Sequence, residues 1–125
     1  MKLLCAGLLV FALSGCAGLS PGNPTVSILV DLDPASVDRT VIVESITADR
    51  EGVLYLPDRV SNNILRVDPK SPTPVVVGHI GSRTIDGKTV APMPSGIAFD
   101  AKGDLYVGVG PFGEVVRIPR ADLNP

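Results

Sequence analysis

Residues 45–56 read Ser45-Ile46-Thr47-Ala48-Asp49-Arg50-Glu51-Gly52-Val53-Leu54-Tyr55-Leu56, and residues 96–107 read Gly96-Ile97-Ala98-Phe99-Asp100-Ala101-Lys102-Gly103-Asp104-Leu105-Tyr106-Val107. Set one above the other without a gap, they repeat at an offset of 51 residues (97 − 46). Ile, Asp, Gly, Leu and Tyr recur identically at 46/97, 49/100, 52/103, 54/105 and 55/106, and Arg recurs at 66/117. Apolar residues recur at 56/107, 64/115, 65/116 and 67/118. A fixed period of this size marks a repeat architecture, in which one unit cannot bury its faces without a neighbour.

Each unit reads as a small antiparallel sheet. An apolar run over 46–48 stops at Asp49, and Arg50-Glu51-Gly52 reverses the chain. Gly52 and Gly103 fall where a tight turn demands positive φ. Residues 53–56 and 64–67 supply a second and third strand, and Pro74-Val75-Val76-Val77-Gly78 a fourth. The expected fold class is all-β, a partial β-propeller of four-stranded antiparallel blades. The 13 Gly and 12 Pro suit short strands separated by turns, and 45% hydrophobic content excludes wholesale disorder. A net charge of −2 with basic residues scattered along the chain gives no footprint for a nucleic-acid partner.

The runs ESITADREGVLYLPDRVSNNILRVDP and PSGIAFDAKGDLYVGVGPFGEVVRIP resemble blades of the senescence-marker-protein/gluconolactonase/luciferin-regenerating superfamily and of the related NHL propellers. The resemblance covers roughly residues 26–123. It implies an incomplete propeller over 26–125, with a closing outer strand at 26–32, one blade unit at 44–80 and a second at 95–123 that lacks its fourth strand. Missing blades or a second chain are then expected to cover the exposed edges. In the metal-dependent lactonases of that superfamily a Glu opening the first strand of a blade binds a divalent cation. Glu44 matches that position, although Ser45-Ile46 follow it where the family has Gly-Pro. The resemblance implies Ca²⁺, Mg²⁺ or Zn²⁺ in a full-length relative, polarising a lactone carbonyl and activating water with help from later blades.

The amino terminus carries a different signal. Met1-Lys2 is a short positive region, and residues 3–13 form an apolar segment. It is too short for a transmembrane helix, which needs about 20 residues, but suits an export signal helix. It leads into Leu13-Ser14-Gly15-Cys16, which resembles the bacterial lipobox. That resemblance implies a lipoprotein signal peptide over 1–15, lipid on the Cys16 thiol and a lipidated tether over 16–25. The alternative is an ordinary signal cleaved near Ala17-Gly18. Cys5 leaves with the signal, so no disulfide is expected. Ala17 is not the Asp that resembles an inner-membrane retention signal, so the expected location is the outer membrane of the cell envelope, facing the periplasm.

Repetition sorts the polar residues. Asp49/Asp100 read as turn formers and Arg66/Arg117 as third-strand surface residues, since a catalytic role is needed only once. Glu44 and Asp58 do not repeat; they face Ser95 and Val109. Glu44 is the candidate metal ligand. Asp58 reads as a solvated turn residue after Pro57 or a polar residue at a channel mouth. His79, the single histidine, reads as a loop residue without a zinc set. Residues 108–113 are glycine-rich but precede no helix, and residues 82–93 read as an inter-blade loop. No catalytic residue is assigned. The expected function is a ligand- or protein-binding module. The alternatives are a gluconolactonase-like hydrolase of which only N-terminal blades are present, and a truncated product without independent activity.

Overall fold

The computed structural model describes residues 25–38 and 40–123, and there the chain is all-β apart from two short 3₁₀ turns. The expected signal helix over 1–15, Cys16 and residues 17–24 of the expected tether lie outside the described residues. Strands β1 (Thr47–Ala48), β2 (Leu54–Pro57), β3 (Asn63–Asp68) and β4 (Ser71–His79) form an antiparallel sheet in that order. A two-stranded hairpin follows, β5 (Arg83–Ile85) and β6 (Lys88–Val90). Strands β7 (Ile97–Phe99), β8 (Leu105–Val109) and β9 (Glu114–Ile118) form a second antiparallel sheet.

The sequence period is a structural period. Thr47 pairs with Tyr55 as Ala98 pairs with Tyr106, and Tyr55 pairs with Arg66 as Tyr106 pairs with Arg117. The turns match bond for bond. Asp49 Oδ1 accepts the N–H groups of Glu51 at 3.0 Å and Val53 at 2.9 Å; Asp100 Oδ1 accepts those of Lys102 at 2.8 Å and Asp104 at 3.0 Å. Gly52 and Gly103 close these turns at φ 82° and 89°, where a side chain would be strained.

The two sheets pack face to face around Val53, Tyr55, Ile64, Leu105, Val107 and Leu123, all buried. Burial of apolar surface there is the main favourable term holding the sheets together. Gly78 on β4 lets the backbone approach closely: a Cβ there would lie 3.1 Å from Ile118 Cδ1. Repeat-equivalent positions are not all buried alike. Ile64 is fully buried between the sheets, whereas Val115, its counterpart, is 69% exposed on the outer face of the second sheet.

Three expectations are corrected or refined. Residues 82–93 hold a hairpin rather than a structureless loop, because Asp86 and Gly87 take φ 50° and 74° and turn β5 back on β6. The fourth strand runs from Ser71 to His79, wider than 74–78; Pro72 and Pro74 fit because this is an edge strand, where a missing N–H breaks no ladder on the open side. Residues 26–32 form no ladder, and Val26 and Ile28 are 93% and 86% exposed. A closing strand exists only when paired, and among the described residues no strand pairs with the segment.

Candidate functional site

Glu44 and Asp58 come together at the start of the first sheet. An isolated antiparallel bridge joins Val43 to Asp58, and the Arg59 N–H donates to the Ile42 carbonyl at 3.0 Å. The bridge sets Glu44 beside Arg59, whose guanidinium Nη1 donates to Glu44 Oε1. Both side chains are partly exposed, so the pair is screened by water.

Asp58 is buried, at 2% exposure, which corrects the reading of a solvated turn. Its carboxylate accepts N–H groups from Ile42 at 3.1 Å, Val60 at 3.0 Å and Ser61 at 3.3 Å, and the Ser61 hydroxyl also donates to it. Burial acts to raise its pKa, but these bonds from Ser61, Val60 and Ile42 together outweigh it and hold the carboxyl below its ordinary value. The side chain is thereby an internal staple. It ties the approach segment, through Ile42, to the turn after β2. Its oxygens face protein donors rather than an incoming ligand.

His79 stands opposite Asn63 across β3 and β4, with Nδ1 2.9 Å from Asn63 Oδ1. It is exposed and belongs to an edge strand, not a loop. Cys16 lies outside the described residues.

These groups do not form a metal centre. Glu44 is bound to a cation of the chain itself, and among the described residues no three His, Cys, Asp or Glu side chains gather as a ligand set. A hard divalent ion asks for several oxygen ligands together, so the donors described here do not fit one. Sequence reasoning missed Arg59; its only signal was a basic residue directly after the unrepeated Asp58. Known protein families and curated proteins were compared with the chain, and none matches it.

Proposed function

We propose that this chain is an exported, lipid-anchored binding module of β-propeller type. The observation that carries the reading is the pair Ile64 and Val115. They are the same place in two successive units, yet Ile64 is covered by the next sheet and Val115 is not. A stack of equivalent sheets built by one repeated operation has this property: each sheet is the cover of the one before it. The outer face of the second sheet therefore suits a further sheet of the same kind, supplied by additional blades or a second chain. The identical registers and aspartate turns support the same reading. Binding rather than hydrolysis is favoured because Glu44 and Asp58 are engaged by Arg59 and by turn N–H groups. Anchoring rests on Leu13-Ser14-Gly15-Cys16.

The test is expression with the native leader in a two-membraned bacterium fed labelled fatty acid. We expect label in the outer-membrane fraction, a mature chain beginning at Cys16, and loss of both label and membrane partition in Cys16→Ser. Equal partition of Cys16→Ser and wild type, or a mature terminus elsewhere, overturns the anchored reading.

A further inference from the structure

Arg66 and Arg117 hold the same place in the two units, but their surroundings differ. Arg117 Nε donates to Asp104 Oδ2 at 2.7 Å. The residue at the place of Asp104 in the first unit is Val53, which is buried in the core and offers no acceptor. Among the described residues Arg66 has no carboxylate partner; it lies in hydrogen-bond contact with the phenol of Tyr55, and its Nε is buried without an acceptor. Arg59 Nε is in the same state; what distinguishes Arg66 is the missing acceptor that Asp104 gives Arg117.

Space for one exists. A cavity of about 430 Å³ opens between the two aspartate turns and is lined by Arg66 and Tyr55 on one side and Phe99, Lys102 and Arg120 on the other. Val53 and Leu123 add apolar wall. Three acids also border it, but the carboxylates of Asp49 and Asp100 accept N–H groups of their own turns. Against these three acids stand four basic residues, Arg50, Arg66, Lys102 and Arg120, so the lining keeps a small excess of positive charge. The volume falls within the ordinary range of small-molecule sites, which combine apolar walls with a few polar groups.

We propose that this cavity binds a small organic anion, its carboxylate or phosphate on Arg66 and its apolar body against Val53, Phe99 and Leu123. The planar guanidinium fork matches either anion with paired hydrogen bonds, which a neutral ligand does not satisfy. The apolar wall selects an anion carrying a ring or branched chain over a bare inorganic ion. This deepens the reading of the chain as a binding module by naming the class of ligand; it does not depend on the lipid anchor, so the two fail separately.

The experiment follows backbone and ring chemical shifts of the full chain in detergent during titration with benzoate, phenyl phosphate, acetate and inorganic phosphate. We expect saturable one-to-one shifts at Tyr55, Arg66 and Phe99 with benzoate or phenyl phosphate, and the stronger of the two identifies the anion. Acetate and inorganic phosphate should bind more weakly for want of a ring. Arg66→Gln should weaken the aromatic anion roughly 10- to 100-fold, the worth of one charge-assisted hydrogen bond. Arg117→Gln should leave it unchanged. The Arg66→Gln spectrum should otherwise match that of the wild type, which separates loss of the site from loss of the fold. No shift in the wild type up to about 20 mM benzoate, beyond the weakest affinity expected of so small a ligand, overturns the proposal. So does equal weakening by Arg66→Gln and Arg117→Gln.

Discussion

Tyr55 and Phe99 meet edge to face across the seam between the two sheets, with ring centroids 4.9 Å apart and planes at 84°. Tyr55 belongs to the repeat and has a counterpart in Tyr106, but Phe99 stands where the first unit has Ala48. The contact is therefore specific to this seam. Phe99→Ala is expected to destabilise the chain by roughly 3 kcal/mol, the lower part of the range for removing a packed ring, with about 1 kcal/mol of it from the ring pair. Phe99→Leu should recover more than half. Urea unfolding followed by circular dichroism measures both, and a loss under about 0.5 kcal/mol in Phe99→Ala, the level of an ordinary surface change, would remove the seam from the core.

The equivalence of Ile64 and Val115 makes a paired prediction. Ile64 has no exposed surface and Val115 is 69% exposed. Ile64→Ala should cost about 2–5 kcal/mol, because it opens a cavity that the neighbouring sheet cannot close. Val115→Ala in the isolated chain should stay within about 0.5 kcal/mol, as surface changes do. Denaturant midpoints of the two variants, measured side by side, check this. Equal losses would mean that the outer face of the second sheet is already covered.

Asp58 links a buried carboxylate to pH. Its folded pKa lies below the ordinary value, so the unfolded chain takes up its proton at a higher pH than the folded one. The stabilisation is thus present above the unfolded pKa of about 3.9 and is lost as pH falls through the lower folded value. Asp58→Asn presents one acceptor oxygen and an NH₂ to a set of N–H and O–H donors, and is expected to cost about 1–3 kcal/mol at pH 7. The gap between wild type and variant should narrow below about pH 4, where the wild-type carboxylate is itself being neutralised. Thermal melts from pH 7 to pH 3 read the gap directly; one that stays constant across the range would show that charge plays no part.

What could be read in the sequence was local or periodic. The Asp49 and Asp100 turns were legible because Asp and Gly three residues apart supply a side-chain acceptor and a positive φ wherever they occur. The strand order followed from the period. The hairpin at Arg83–Val90 obeys an equally local rule, Asp86-Gly87 between strand-forming residues, but the 51-residue frame assigned that stretch to a connection. Asp58 carried a usable signal: its counterpart Val109 is apolar and buried, so a carboxylate at that place had to be buried and supplied with donors. The Glu44–Arg59 pair was not legible, since it depends on how the Val43–Asp58 bridge folds two segments together. The missing carboxylate partner of Arg66 was hidden by the repetition itself. Matching Arg66 to Arg117 suggested a shared role, while the informative difference lay at Val53 and Asp104, on the neighbouring strand.

Arg83 ties the β5–β6 hairpin to the second sheet. Arg83 lies over the Phe112 ring, 4.5 Å from its centroid, and its Nη1 donates to Glu114 Oε1 at 2.7 Å. The hairpin itself has exposed strands, with only Val90 half-buried, so it buries too little apolar surface to hold its place alone. Arg83→Ala removes both contacts. Because the ion pair is partly exposed, the change in global stability should stay near 1 kcal/mol or less. Local stability should fall more visibly, since an element with few buried contacts opens independently of the core. Amide exchange in residues 83–90 is therefore expected to accelerate in Arg83→Ala, while exchange in β2, β3 and β8 stays as in the wild type. Arg83→Lys keeps the charge but not the planar stacking on Phe112, and should fall between the two. Uniform acceleration across all strands would show that the hairpin opens only with the whole fold, and that Arg83 does not tether it.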